Sequence, residues 1–281
     1  MCCLYNTIVG VPMSSIKFSI AAIALASAAA AQAGPLSTLY LTYSASSQGG
    51  NGAGISMVQG NSITSFPVAY NNGFEIPIAV NGDVRTTGYY PGGPGGGQYS
   101  LSGTPTGTAY AYPLVNDNLY DSSTDGSHNY LVAFNGGGVY ATNTDFTSPT
   151  LLFSVQGNVL GITYDETNNS LWLSDWGNTM VSNYSLSGTL LSSFSTGHTQ
   201  NGALALDHAD QTLWLVDDTS GQLQQFSKSG ALLSSGPNVG FTLGGEFDFA
   251  GAGHVPEPSS LALLGLAGLL LAGQRRRQAR G

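Results

Sequence analysis

Five aspartates recur at fixed places in the second half of the chain. Asp165, Asp207 and Asp248 each close one apolar run, and Asp175 and Asp217 each close the run that follows. Rings of carboxylates at one mouth of a repeat protein could hold Ca²⁺ or a cationic group. The same residues also close turns, by accepting hydrogen bonds from the backbone just ahead of them. Repetition favours turn closure, because a binding site usually needs one unit to differ. Ca²⁺ stays as a candidate, and no other cofactor is expected. Asp121-Ser122-Ser123-Thr124-Asp125-Gly126 has the composition of a calcium loop but not the spacing of an EF-hand.

The histidines beyond the leader are His128, His198, His208 and His254, and none stands at metal-ligand spacing. A hydrolytic or lyase site would need His or carboxylate ligands converging on a metal. His198 is the candidate for that role, in a link between repeats near a central mouth. No Gly-x-Ser-x-Gly elbow occurs. Tyr89-Tyr90-Pro91-Gly92-Gly93-Pro94-Gly95-Gly96-Gly97 lacks the Lys-Ser/Thr and helix of a phosphate loop. The balance favours a binding or structural module over an enzyme, with a metal-dependent hydrolase or lyase as the alternative. Trp176 stands in a loop and has Asp218 as its counterpart in the next unit. An exposed Trp could stack on a sugar ring, or it could pack over its own sheet edge. Trp176, His198 and Asp218 form the candidate ligand-binding set; no metal-ligand set can be assigned.

These residues belong to a repeat. Gly161 to Ser193 aligns without a gap on Ala203 to Ser235 at an offset of 42 residues. Asp165 matches Asp207, Trp172 matches Trp214, Asp175 matches Asp217 and Gly188 matches Gly230. Each unit holds four short apolar or alternating stretches separated by Asn, Asp, Gly and Ser turns, which predicts four strands. Weaker copies lie upstream at Tyr99–Gly103, Tyr130–Ala133 and Leu39–Thr42. Four strands in 40 to 45 residues is the signature of a β-propeller blade. The repeating Trp172 and Trp214 are expected between blades. The body starts at a second-strand motif, Leu39-Tyr40-Leu41, and ends at a lone first strand around Gly245–Phe249. Joining them would complete one blade and hide two sheet edges. The expectation is an all-β propeller of five blades over residues 34–253, with six as the alternative because residues 66–128 are poorly patterned.

The best-formed unit resembles the NHL repeat, through Tyr164-Asp165, Leu171-Trp172-Leu173-Ser174-Asp175, Gly177-Asn178, Tyr184, Gly188 and Phe194. The resemblance is good over residues 161–235 and weak before them. Thr179-Met180 stands where that family often has His-Arg, which argues against its RNA-binding branch.

Charge agrees. Only 8% of the 281 residues are charged, against about 25% in an average domain. Gly, at 39 residues, is about twice as frequent as usual. Between Gly34 and His254 two basic residues, Arg85 and Lys228, face fifteen acidic ones, a net charge of −13. Nucleic acid is therefore excluded as a partner, since binding it requires cations that release counterions. With 42% hydrophobic residues and fourteen Tyr the body is not a disordered acidic tail either. Acidic loops and neutral polar faces suit polysaccharide or a surface protein.

Both ends read as addresses. Lys17, the apolar stretch 18–31 and Ala31-Gln32-Ala33 form a secretory signal over residues 1–33, with signal-peptidase cleavage before Gly34. The apolar stretch is too short for a span, which takes about 20 residues. Met13 would make a more compact start than Met1. Cys2 and Cys3, the two cysteines, lie in this removable stretch, so the mature chain has neither disulfide nor thiol chemistry. Residues 254–281 carry Val255-Pro256-Glu257-Pro258, the apolar run Leu261–Ala272, and Arg275, Arg276 and Arg277. This order resembles the PEP-CTERM sorting signal of exosortase substrates. The two prolines hold an exposed, extended backbone for an enzyme to grip. The run makes a short transmembrane helix whose arginines stop transfer and favour a cytoplasmic end. The resemblance implies exosortase as a partner, a transient stay in the inner membrane, cleavage near Pro-Glu-Pro, and delivery to the cell surface or extracellular matrix. Mass spectrometry of the exported protein is expected to find an N-terminus at Gly34 and a C-terminus near Pro258. Extracellular material that keeps Arg275–Arg277 would refute processing.

Overall fold

A computed structural model describes residues 34–43, 53–70, 74–93 and 95–253. The signal and sorting segments read from the sequence lie outside the described residues, apart from Gly34. Among the described residues no helix is long and apolar enough to cross a membrane.

Twenty strands form five antiparallel four-stranded sheets. Blade 1 joins the two ends of the body. From axis to rim it runs β20 (Gly244–Phe247), β1 (Leu39–Tyr43), β2 (Gly54–Gln59) and β3 (Ser62–Pro67). Blade 2 is β4 (Glu75–Val80), β5 (Val84–Gly88), β6 (Gly96–Tyr99) and β7 (Pro105–Tyr110). Blade 3 is β8 (Leu119–Thr124), β9 (His128–Ala133), β10 (Gly138–Asn143) and β11 (Thr150–Ser154). Blade 4 is β12 (Val159–Asp165), β13 (Ser170–Asp175), β14 (Met180–Ser185) and β15 (Leu190–Ser195). Blade 5 is β16 (Asn201–Asp207), β17 (Thr212–Asp217), β18 (Gln222–Phe226) and β19 (Leu232–Asn238). The inner strands β4, β8, β12, β16 and β20 pack on one another in a closed ring. Five blades close it, so the six-blade alternative is excluded. The closing strand is shorter than the sequence suggested: β20 ends at Phe247, and Phe249–Gly253 forms a 3₁₀ turn.

Cores lie between blades. Trp172 of blade 4 packs with Leu204, Leu206, Leu213 and Phe226 of blade 5. Trp214 of blade 5 packs with Leu39, Leu41 and Phe247 of blade 1. Strand register puts Tyr40, Arg85 and Tyr130 at the same position in the other blades. Arg85, ion-paired to Asp83 at 2.7 Å, explains why blade 2 read poorly.

The axis is filled rather than open. Register aligns Asp121 with Pro77, Gly161, Ala203 and Gly244, all small or compact. Into the space they leave, Asp121 projects its carboxylate. Its Oδ1 accepts from the amides of Gly245 (2.9 Å) and Ser122 (2.9 Å), and its Oδ2 from Ile162 (3.1 Å) and Leu204 (3.4 Å). One side chain thus gathers equivalent amides of four blades. Two residues further along, Glu246 is surrounded by Ala79, Ser123, Thr163 and Ala205. It accepts from the Phe247 amide (3.0 Å) and the Thr163 hydroxyl (3.3 Å). The Ser123 and Thr163 oxygens take the amides of Tyr164 (2.9 Å) and Leu206 (3.0 Å) in the next blade. Burial pushes both carboxyls well above the usual range, with the amides opposing it.

Asp121→Ala would leave buried amides of several blades without acceptors, at about 1–3 kcal/mol each. The expected loss is about 3 kcal/mol or more, read as a lower urea midpoint.

Candidate functional site

The propeller has two unlike faces. The lower face carries the turns between first and second strands and between third and fourth. The upper face carries the turns between second and third strands and the links between blades.

The repeated aspartates are spread over both. On the lower face Asp165 accepts from the amide (3.1 Å) and hydroxyl (2.6 Å) of Thr167, from Trp172 Nε1 (3.0 Å), and from Lys228 at 2.7 Å. Asp207 accepts from the Ala209 amide (3.0 Å) and the Ser37 hydroxyl (2.7 Å), and Asp248 from the amides of Gly82 (2.7 Å) and Ala250 (3.1 Å). Register extends this ring to Asn81 and Asp125, which the sequence reading missed. On the upper face Asp175 accepts from the Gly177 amide (2.7 Å) and Asn178 Nδ2 (2.7 Å), and Asp217 from the Thr219 amide (3.0 Å) and Ser220 hydroxyl (2.7 Å). These carboxylates are occupied by local turns, and they do not form one ring. Among the described residues no group of three His, Cys, Asp or Glu could hold a metal.

Trp176 and Asp218 stand in one corner of the upper face, between blades 4 and 5, and His198 does not join them. The Trp176 ring meets Phe241 edge-on, with centroids 5.8 Å apart. The next residue, Thr242, donates its amide to Asp218 Oδ1 (2.9 Å). Gln200 joins them: its amide donates to the Trp176 carbonyl (2.9 Å), and its carbonyl accepts from the Asp218 amide (3.0 Å). His198 turns away from the axis, with Nε2 2.9 Å from Gln224 Oε1 and Nδ1 3.7 Å from Asp217 Oδ1. It does not approach a central mouth as the sequence suggested, because Gln224 lies on the third strand. Asp218 is buried, and its Oδ2 has no partner, like the neighbouring Thr242 hydroxyl. Burial pushes its carboxyl up to about 8, against the pull of the Thr242 amide.

Trp176 is less unusual than the alignment with Asp218 implied. It is the first residue after β13, and Tyr89 and Phe134 hold the same place after β5 and β9. Three blades therefore raise an aromatic beside the mouth. Around Tyr89 the rings run on: Phe74 is 5.5 Å away, Tyr120 is 5.7 Å away and nearly parallel at 23°, and Phe134 is 5.0 Å beyond Tyr120. Tyr90 meets Phe74 and Tyr89 edge-on. All five rings keep partial exposure. Asp117 fixes the border of this patch, accepting from the amides of Asn118 (2.8 Å), Asn135 (2.9 Å) and Gly136 (2.6 Å). Sequence reasoning missed the patch because the blade 2 loop that carries Tyr89 and Tyr90 is longer than those of blades 3, 4 and 5. The common signal was an aromatic directly after the second strands of blades 2, 3 and 4.

No Lys or Arg among the described residues lies on this face; Arg85 and Lys228 are both tied to lower-face carboxylates. A cleft of about 200 Å³ opens between blades 3 and 4, lined by Gln156, Val159, Asp175, Asn178, Met180 and Tyr184 among others. It is smaller than the roughly 300 Å³ at which small-molecule pockets begin.

Residues 254–277 match the PEP-CTERM protein-sorting motif. The protein is thus an exosortase substrate, exported across the membrane to the cell surface or extracellular space. A search of curated proteins finds no match. Among solved structures, a chain of the nidogen/laminin complex is similar at 12% identity, with a TM-score of 0.50 over 76% of this chain and 99% of that one. A Myxococcus xanthus glutaminyl cyclase aligns at 18% identity and TM-score 0.44, over 66% of this chain and 77% of that one. A catalytically inactive virginiamycin B lyase from Staphylococcus aureus, bound to quinupristin, aligns at 14% identity and TM-score 0.44, over 66% and 62%. The likeness to the first is one of fold.

The raised Asp218 carboxyl sets a pH dependence. The folded protein keeps a proton that the unfolded chain releases above about pH 4. That stabilisation is full below the unfolded value and is lost as pH rises through about 8. Melting temperature is expected to fall between these limits. Asp218→Asn, which keeps an oxygen for the Thr242 amide, reduces the slope; an unchanged slope in a pH series of thermal melts would contradict the assignment.

Proposed function

We propose that the propeller is a surface or matrix binding module that holds an uncharged polysaccharide on its upper face. The observation that carries this reading is the aromatic crown: Tyr89, Phe134 and Trp176 at equivalent places, extended by Phe74, Tyr90, Tyr120 and Phe241. Aromatic rings with polar edges suit ligands that are apolar on one side and hydroxylated on the other. The side-chain carbonyl oxygens of Asn118 and Asn135, whose Nδ2 groups donate to Tyr120 and Asp117, stand nearby as acceptors. Without cations, the face has nothing to attract a polyanion. With the axis filled, an extended ligand lying across the surface fits better than one enclosed at the centre of the ring. Trp176 and Phe241 supply the apolar part of the second patch, with Asp218 at its base.

The way the chain leaves the fold supports the same orientation. Phe249 packs against Tyr164 (6.0 Å) and His208 (5.2 Å) on the lower face, and Ser37 is bonded there to Asp207. The described chain thus starts and stops beneath the propeller, which leaves the crown free above it. The hydrolase or lyase alternative draws no support from His198, which faces Gln224.

Affinity electrophoresis through gels containing neutral glucans or galactans tests the proposal with the exported protein. Migration is expected to be retarded, and Tyr89→Ala and Trp176→Ala should each weaken binding about tenfold. Retardation that survives both changes, or a protein ligand with no retardation by any neutral polysaccharide, would overturn it.

A further inference from the structure

The cleft of about 200 Å³ between blades 3 and 4 is small for a whole ligand, but it can take one substituent of a ligand lying across the surface. Asp175, which lines it, directly precedes Trp176 of the crown.

In the two neighbouring joints the same place is filled. At an offset of 42 residues Gln156, Asp175 and Ser182 of the cleft correspond to His198, Asp217 and Gln224 between blades 4 and 5. There His198 Nε2 lies 2.9 Å from Gln224 Oε1, and Nδ1 faces Asp217 Oδ1 at 3.7 Å. One period earlier the corresponding residues are Leu114, Ala133 and Tyr140, and Leu114 and Tyr140 pack on one apolar cluster between blades 2 and 3. The two aspartates are held alike. Oδ1 accepts a turn amide, from Gly177 (2.7 Å) or Thr219 (3.0 Å), and Oδ2 accepts a side chain, Asn178 or Ser220, at 2.7 Å. The group opposite differs. Ser182 is much shorter than Gln224, and among the described residues neither its hydroxyl nor the Gln156 side chain is hydrogen-bonded. One unit of the repeat thus departs from its neighbours, and it is the one with an open cleft.

We infer that this cleft receives the acetamido group of an N-acetylhexosamine, which makes the polysaccharide on the crown an N-acetylated one. The inference rests on the polysaccharide reading above. His198 supplies the template: a flat group with one polar edge towards the carboxylate and the other towards the third strand. An acetamido group has the same two edges. Its N–H donates to Asp175 Oδ1, which has a lone pair to spare beside the Gly177 amide. Its carbonyl accepts from the Ser182 hydroxyl, and its methyl meets Met180 and Val159 in the apolar part of the cleft. A plain hydroxyl on the sugar would leave that apolar part unfilled.

Isothermal titration of the exported protein with cellohexaose and chitohexaose tests this. The two share one backbone and differ in carrying a hydroxyl or an acetamido group on each ring. Chitohexaose is expected to bind at least about tenfold more tightly. Gln156→His combined with Ser182→Gln builds the closed joint of blades 4 and 5 into the cleft, and Ser182→Tyr builds that of blades 2 and 3. Either change should make the two oligomers bind alike. Unchanged tryptophan fluorescence and melting temperature show that the variants are folded. Equal affinity of the unaltered protein for both oligomers, or a preference that survives both closures, overturns the inference and leaves the polysaccharide reading standing. Failure to bind chitohexaose overturns it as well, and takes the polysaccharide reading with it only when no neutral polysaccharide is bound.

Discussion

A ring of five inner strands brings more backbone amides to the axis than the strands can satisfy among themselves. Asp121 resolves this. Its two oxygens collect amides from four blades, and the small residues opposite make room for it. The arrangement tolerates one such carboxylate per layer. A Cβ on Gly244 would stand 2.3 Å from the Ile76 carbonyl oxygen, so no second long side chain fits at that level. Glu246 repeats the solution one layer along. Because the centre is filled by groups that hold the blades together, recognition is left to the outer surfaces.

Those surfaces divide the work by chemistry. The lower face holds the turns of Asp165, Asp207 and Asp248 and both ends of the described propeller. The upper face is aromatic and uncharged by Lys or Arg. The outer two strands of each blade are uncharged, and three of the fourth strands carry exposed leucines. The charge scarcity of the whole chain is therefore a matter of placement: the few charges in the described body are used in turns, at the axis or, for Glu75 and Arg85, on the first two strands of blade 2. Lys228 illustrates the economy. It pairs with Asp165, whose carboxyl is held below the usual range despite its burial by that ammonium, Thr167 and Trp172.

The fold was legible where residues repeat. Trp172 with Trp214 and Asp165 with Asp207 gave the period, and the orphan strand motifs at the two ends of the body gave closure. The sorting motif was legible as a local order of residues. Blade 2 was obscure because Arg85 replaces the expected aromatic and its loops are rich in glycine. Asp121 and Glu246 carried no local signal, since their partners are amides of blades distant in sequence. The aromatic crown was partly hidden for a related reason: Phe134 stands one 42-residue period before Trp176, but Tyr89 joins them only when strand ends, rather than residue offsets, are matched. Asp218, in the same place, breaks the pattern.

The composite blade has a mechanical consequence. The chain leaves the body from the lower end of β20, which pairs antiparallel with β1 from Thr42–Gly244 to Leu39–Phe247. A pull applied to the chain beyond β20 would act along that strand. All the rungs of that pairing are then strained together, in shear, along with the axial bond from Gly245 to Asp121. A peeling load would break them one at a time. The strand that closes the ring is thus also the one through which a tethered propeller bears tension.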